Sequence, residues 1–335
     1  MATTGALSTA GPGPNRAMDD FFVCDFFAAS PKHDLASLEH PIFSLSTRPD
    51  RRILEYRHND VDVTVTPSVK GRATIFDADI LIFCISQLMA ALNAGKPVAR
   101  RLTLTAHDLL LATGRETSGD SYRRLREAFD RLAGTRITTN IATGDAEITT
   151  GFGLIEAWEI VRKTKGGRMV SVSVTLSDWL YQAVLSRSVL TLNRDYFGLR
   201  RPLERRLYAL ARKHCGRQPA WRVSVETLLK KSGSGSPRRV FRAMVREIIK
   251  ADSLPDYTLT EAPGDIIEVT RKGQLVETGA EIGARITLRS ETLEKARALV
   301  PGADIYALEA EWQNIATRSP PRNPDAAFLG WVGKA

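Results

Sequence analysis

SPRRVFRAMVREIIK, from Ser236 to Lys250, has the period of an amphipathic helix. At about 100° per residue, Phe241, Met244, Val245 and Ile248 share an arc roughly 100° wide, and Arg239, Arg242, Arg246 and Lys250 lie opposite them. Immediately upstream, WRVSVETLLKKSG predicts a strand from Trp221 to Val223, an N-cap at Ser224, a short helix to Lys231 and a break at Gly233. A short helix, a turn of Gly and Ser, and a longer helix with a basic outer face follow helix-turn-helix order. Taken alone, a basic face is most often a solvated face.

The pattern occurs twice, and that gives it weight. Leu102-Thr103-Leu104-Thr105-Ala106-His107-Asp108-Leu109-Leu110 aligns with Trp221-Arg222-Val223-Ser224-Val225-Glu226-Thr227-Leu228-Leu229, and Gly114 falls on Gly233. With a slightly longer turn in the first copy, Leu125, Ala128, Phe129 and Leu132 fall on Phe241, Met244, Val245 and Ile248. A hairpin is expected after each second helix: Thr135 to Thr150, turning at Thr-Gly-Asp, and Tyr257 to Arg271, turning at Pro-Gly-Asp. Strand, helix, helix, hairpin is the order of a winged helix. The expected fold is therefore α+β, with two tandem winged-helix domains and N- and C-terminal extensions. A flexible arm is expected over 1–18, the first domain with its extension over 19–189, the second over 190–289, and a C-terminal helix and tail over 290–335.

Two such modules imply a protein that reads successive segments of a DNA duplex. Helices Asp120 to Ala133 and Ser236 to Lys250 would enter the major groove. Arg239 and Arg242, near the start of the second, are the candidates for bidentate contacts to guanine, each worth about 1–3 kcal/mol of discrimination. Ser236 and Arg238 at that helix start join the candidate surface, while Arg246, Lys250, Lys230, Lys231, Arg271 and Lys272 are candidates for phosphates. Neutralising roughly six to ten phosphates would make binding fall steeply with salt. In the first copy Arg123 and Arg126 lie on the outer face and Arg124 and Arg131 to the side, but Glu127 and Asp130 share that face. Pairing of these acids within the helix, worth only about 0.3 kcal/mol per pair, would say nothing about DNA. More of the phosphate-driven affinity is expected from the second copy.

Composition agrees with this. A formal charge of +9 and a pI near 9.6 point to a polyanion, and 43% hydrophobic content supports folded cores. The apolar run Ile80 to Leu92 is too short to span a bilayer and carries Gln87, so no membrane partner is expected. Cys24, Cys84 and Cys215 are far apart, and the five histidines His33, His40, His58, His107 and His214 have no metal-ligand spacing. A reduced, cytoplasmic protein without metal or other cofactor is the expectation. GxxxxGK[ST] is absent, and Tyr208 lacks the metal site a nicking nucleophile would need, so no catalysis is expected.

Elsewhere, Phe21, Phe22, Phe26 and Phe27 make an aromatic cluster that should pack on its own domain or on a partner. Val61 to Pro67 alternates as a strand, and Gly71 to Ala94 contains a long apolar helix. Phe152 to Val161 and Met169 to Leu176 are further strands, joined by the basic turn RKTKGGR (Arg162 to Arg168). SDWLYQAVLS begins a helix at Ser177, and Arg200 to Cys215 forms another with Leu203, Leu207 and Leu210 as its core stripe. Arg205, Arg206, Arg212 and Lys213 flank that stripe.

LEHPIFSL (Leu38 to Leu45), GRATIFDADILIF (Gly71 to Phe83), RLAGTRITTNI (Arg131 to Ile141), LSDWLY (Leu176 to Tyr181), DYFGLRRPLERRLYALARKHCG (Asp195 to Gly216) and KKSGSGSPRRVFR (Lys230 to Arg242) resemble the plasmid replication initiator protein A family. The resemblance covers roughly Asp19 to Arg271, and NPDAAFLGW is similar to the family's ending. It implies two winged-helix domains on direct repeats at a plasmid origin, duplex opening with the host initiator, and recruitment of the host replicative helicase. It also implies a homodimer that represses its own gene while monomers initiate. Readings that share the modules are a transcription regulator without a replication role and a basic structural protein that binds all duplexes alike; an origin-nicking enzyme is a third.

Overall fold

The computed structural model describes residues 30–58, 61–143, 146–162, 169–216, 218–272, 288–300, 308, 309, 312, 316, 321 and 323–333. The chain opens with β1 (Lys32–Asp34) and α1 (Leu35–Glu39), followed by β2 (Leu54–His58) and β3 (Val61–Thr66). Next comes α2 (Ala78–Asn93), whose apolar composition is explained by its position, since nearly every residue from Ala78 to Met89 is buried. The first strand-helix-helix unit is β4 (Arg101–Leu104), α3 (Ala106–Ala112) and α4 (Gly119–Gly134). Two hairpins follow, β5 (Arg136–Thr143) with β6 (Ala146–Gly153), and β7 (Ile155–Arg162) with β8 (Met169–Leu176), before α5 (Asp178–Leu185).

The second unit is approached through β9 (Val189–Thr191), a 3-10 turn over Arg194–Gly198 and α6 (Pro202–His214). It consists of β10 (Ala220–Ser224), α7 (Val225–Ser232), α8 (Arg238–Ala251) and the hairpin β11 (Tyr257–Ala262) and β12 (Ile266–Arg271). α9 (Ser290–Leu299) and α10 (Pro324–Val332) share a small core in which Ala296, Phe328 and Val332 join Trp312.

The sheets correct one expectation. In the second unit the leading strand β10 pairs with β12, the far strand of the hairpin that follows α8, giving the order β10-β12-β11. In the first unit β4 pairs with β8, giving β4-β8-β7, so the equivalent hairpin is β7–β8. The Thr135–Thr150 hairpin, expected in that place, is an insertion: β5 and β6 join β2 and β3 in a separate sheet ordered β2-β3-β5-β6. Apolar register decides this. Leu102 and Leu104 face Val174 and Val172, all buried, whereas Ile137 of β5 pairs with Val65 of β3.

Two large cores result. One gathers α2, α3, α4 and the first three-stranded sheet; the other gathers α6, α7, α8 and the second. Leu38 of α1 and Ile82 of α2 belong to the second core, so the N-terminal segment packs into the second unit. β1 also pairs with β9, across the boundary expected at 189. Arg205 and Arg206, which the helical stripe left flanking the core, are buried instead. Arg205 donates to Asp79 Oδ1 at 2.6 Å and stacks on Phe76, and Arg206 donates to the carbonyls of Ser37, Leu38, Glu39 and Lys231. Each guanidinium is compensated by acceptors in distant segments, which is what makes its burial tolerable. The Phe21–Phe27 cluster and the tip of the RKTKGGR turn lie outside the described residues.

Candidate nucleic-acid interface

The turn into α8 is built from local hydrogen bonds. Ser224 Oγ accepts from the Thr227 amide at 3.1 Å and caps α7, and Gly233 ends it in the left-handed region with φ 68°. A Cβ at Gly233 would come within 2.6 Å of Pro41 Cβ, so both conformation and contact require glycine. The Ser232 hydroxyl takes the Ser234 amide, and the Ser234 hydroxyl takes the Ser236 amide, leading to Pro237 at the head of α8. Phe241, Val245 and Ile248 are then buried, and the cationic face is turned outward.

That face is not a uniform array of free cations. Arg239 is exposed and has no partner among the described residues. Arg242 Nε donates to Asp265 Oδ1 at 2.9 Å, and Arg238 takes the other oxygen of the same carboxylate. Arg246 forms a two-pronged pair with Glu261, at 2.8 and 2.7 Å. Both acids come from the β11–β12 hairpin, so the hairpin is tied to the outer face of α8. The hydrogen bonds from Arg242 and then Arg238 hold the Asp265 carboxyl below its ordinary range, and Arg246 does the same for Glu261.

The remaining candidates are distributed around this centre. Ser236 is half-buried at the turn, Lys250 is exposed further along α8, and Arg271 is exposed at the end of β12. Lys230 pairs with Glu226 one turn back at 3.2 Å, and Lys272 pairs with Asp252 at the C-terminus of α8 at 3.0 Å. Lys231 is a correction: it is 3% exposed and donates to Glu39 Oε1 at 2.5 Å, so it is unavailable to a phosphate. Its position borders the buried side of α7, where a carboxylate from α1 neutralises it.

On α4, Ser118 caps the helix and Leu125, Ala128, Phe129 and Leu132 are buried. Its outer cations are largely matched by its own acids. Arg123 donates to Asp120 at 2.5 Å and to Glu127 at 3.0 Å, and Arg124 pairs with Asp120 at 2.7 Å. Arg126 is exposed with no partner among the described residues. Asp130 accepts from Lys70, and Arg131 grips the buried Asp77 at 2.7 and 2.8 Å, fastening α4 to the start of α2.

Glu261 and Asp265 were not singled out from the sequence. The Pro-Gly-Asp turn marks where the hairpin reverses, but only the packing of the hairpin on α8 brings its acids to those arginines. The fold also gathers Glu39, His214 and Glu294, with donor atoms within 4.8 Å of one another. The Lys231 ammonium already lies on Glu39, and burial pushes the His214 pKa down. The group reads as a buried ion-pair cluster joining α1, α6, α7 and α9, with the cationic role filled by lysine. Among the described residues no helix is long and apolar enough to cross a membrane.

Two cationic helices, each set behind a leading strand and ahead of a hairpin, place the chain among two-unit α+β proteins, and the comparisons with known proteins give that class a family. Residues 32–259 match the family Replication initiator protein A, and the chain belongs to that family. A protein of Wigglesworthia glossinidia brevipalpis named "Putative replication protein" is 36% identical over 249 residues, spanning 73% of this chain and 90% of that protein. The fold is similar to that of the crystal structure of domains 2 and 3 of RctB, with a TM-score of 0.53 at 14% identity, covering 71% of this chain and 98% of the other.

Proposed function

We propose that this protein initiates plasmid replication by binding direct repeats of duplex DNA at the origin through two winged-helix modules, with α8 as the principal reading helix. The observation that carries this reading is Arg239. It stands exposed and unpartnered among the described residues at the start of an otherwise well-packed helix, with the β11–β12 hairpin beside it. A guanidinium there can make the bidentate contact to guanine, while Arg246 and Lys250, further along α8, and Arg271, at the base of the hairpin, serve phosphates. The hairpin acids orient Arg238 and Arg242 until phosphate oxygens replace them.

Family membership supports the replication role. The function extends to opening the adjacent duplex with the host initiator, recruiting the host replicative helicase, and repression of its own gene by a homodimer. The protein acts by binding, without catalysis or a metal of its own.

Binding of the full chain to tiled fragments of its replicon, at fixed near-physiological salt, tests the reading. Footprinted binding to repeats, and loss of plasmid maintenance with Arg239→Ala, are expected. Equal affinity for every fragment contradicts it. Specific binding without origin-dependent maintenance would make the protein a transcription regulator.

A further inference from the structure

The outer face of the first two turns of α8 carries more than arginine. Arg239, Val240 and Ala243 fall within an arc of about 100° on the helix, with Ala243 one turn on from both of the others. Val240 is 49% exposed and Ala243 is exposed, although Phe241, Val245 and Ile248 on the other side are buried. Isolated exposed valines, such as Val69 at 84%, need no special explanation. Val240 differs in its setting. It is β-branched in a solvent-facing helical position, where Lys, Glu or Ala would favour the helix more, and its neighbour Arg239 is unpartnered among the described residues.

The equivalent positions of α4 sharpen the contrast. Aligning Leu125 with Phe241 places Asp120, Arg123, Arg124 and Glu127 on Ser236, Arg239, Val240 and Ala243. In α4 those four side chains neutralise one another. In the second copy the matching positions hold Ser236 at the turn and, within α8, one cation and two apolar groups, with no acid in the helix until Glu247 a turn further on. A free guanidinium beside methyl groups matches a major-groove edge in which a guanine lies next to a thymine. The guanine offers O6 and N7 acceptors, and the thymine offers its C5-methyl group. Ala243 adds little bulk, so the helix can approach the groove floor.

We propose that Val240, with Ala243 beside it, reads the C5-methyl of a thymine adjacent to the guanine read by Arg239. The inference rests on α8 being a DNA-reading helix, as proposed above, and makes Val240 a specificity-determining residue of that interface.

The test replaces each thymine of the footprinted repeat singly with deoxyuridine, which removes the C5-methyl and leaves the pairing edge unchanged. Binding of the full chain is compared for wild type and Val240→Ser. At a thymine under α8, wild type should lose about fourfold in affinity, the equivalent of one buried methyl at about 0.8 kcal/mol. The Val240→Ser protein should show no penalty at that thymine and bind the unmodified repeat about fourfold more weakly than wild type, while the contact of Arg239 still favours the repeat over unrelated duplex. The exposed site makes its fold insensitive to the change, which circular dichroism checks. If no deoxyuridine penalty is removed by Val240→Ser while Arg239→Ala still abolishes preference, the methyl reading is overturned and the interface stands. If wild type prefers no fragment at all, both fall.

Discussion

α4 and α8 occupy equivalent places in the two units and bury equivalent side chains, yet their outer arginines are neutralised from different sources. Arg123 and Arg124 of α4 are held by Asp120 and Glu127 of the same helix. On α8, Arg238, Arg242 and Arg246 are held by acids from another element, and Arg239 has no partner among the described residues. A pair within one helix moves with that helix and remains available to itself. A pair between helix and hairpin can be exchanged for phosphate when the two separate slightly. The two helices thus share a fold and differ in where their arginines find acids: within α4 itself, apart from the exposed Arg126, and across to the β11–β12 hairpin for α8, apart from the exposed Arg239.

Both helices sit on a common scaffold, and the largest expected effect comes from breaking it. Asp79 of α2 receives Arg205 of α6 and also Arg115, and both Asp79 and Arg205 are almost wholly buried. Asp79→Ala leaves an uncompensated guanidinium between the units and should cost about 3–5 kcal/mol in urea unfolding. An unchanged unfolding midpoint would mean the ion pair does not couple the two cores.

Acid should weaken the packing at the end of α1, where His40 sits against Tyr56, by a smaller amount. Burial, with Lys231, Arg206 and Lys213 nearby, lowers the His40 pKa from 6.5 to about 4 against the opposing pull of Glu39. The unfolded chain therefore takes up this proton first as pH falls. The stability contribution is intact above about pH 6.5 and is lost progressively towards pH 4, by up to about 3 kcal/mol. His40→Gln should flatten that part of a stability-against-pH curve; an equally steep curve would assign the slope elsewhere.

Releasing the arginines is a gentler way to separate the two helices. Asp265→Asn frees Arg238 and Arg242 and should steepen the dependence of log affinity on log salt by about 1–2, raising affinity for any duplex. Asp120→Asn frees Arg123 and Arg124 on α4, where Glu127 still holds Arg123, and should change the slope by less than about 1. A larger change from Asp120→Asn would reverse the ranking of the two helices.

Much of this was legible in local pattern. The caps at Ser224 and Ser177, the break at Gly233, and the buried faces of α4 and α8 all follow from spacings within a few residues. What escaped depends on partners far along the chain. Lys230 and Lys231 look alike in sequence, but only Lys231 meets Glu39, 192 residues away. Arg205 and Arg206 read as helix flanks until α1 and α2 supply their acceptors. The hairpin equivalent to β11–β12 was misassigned because two hairpins follow α4, and either alternates well enough to pair with β4. The choice between them rests on Leu102 and Leu104 meeting Val174 and Val172. Acids that hold α8's arginines were likewise invisible without the hairpin's packing.

The most direct test compares two arginines that are both exposed and unpartnered among the described residues, Arg239 on α8 and Arg126 on α4. The quantity to measure is the ratio of affinities for a footprinted origin repeat and for unrelated duplex, at one near-physiological salt concentration. Arg239→Ala should lower that ratio by about five- to 150-fold, the equivalent of losing a contact worth about 1–3 kcal/mol. Arg126→Ala should lower both affinities alike and leave the ratio within about twofold, as loss of a phosphate contact would. A ratio that survives Arg239→Ala and collapses with Arg126→Ala would contradict the assignment of α8 as the reading helix.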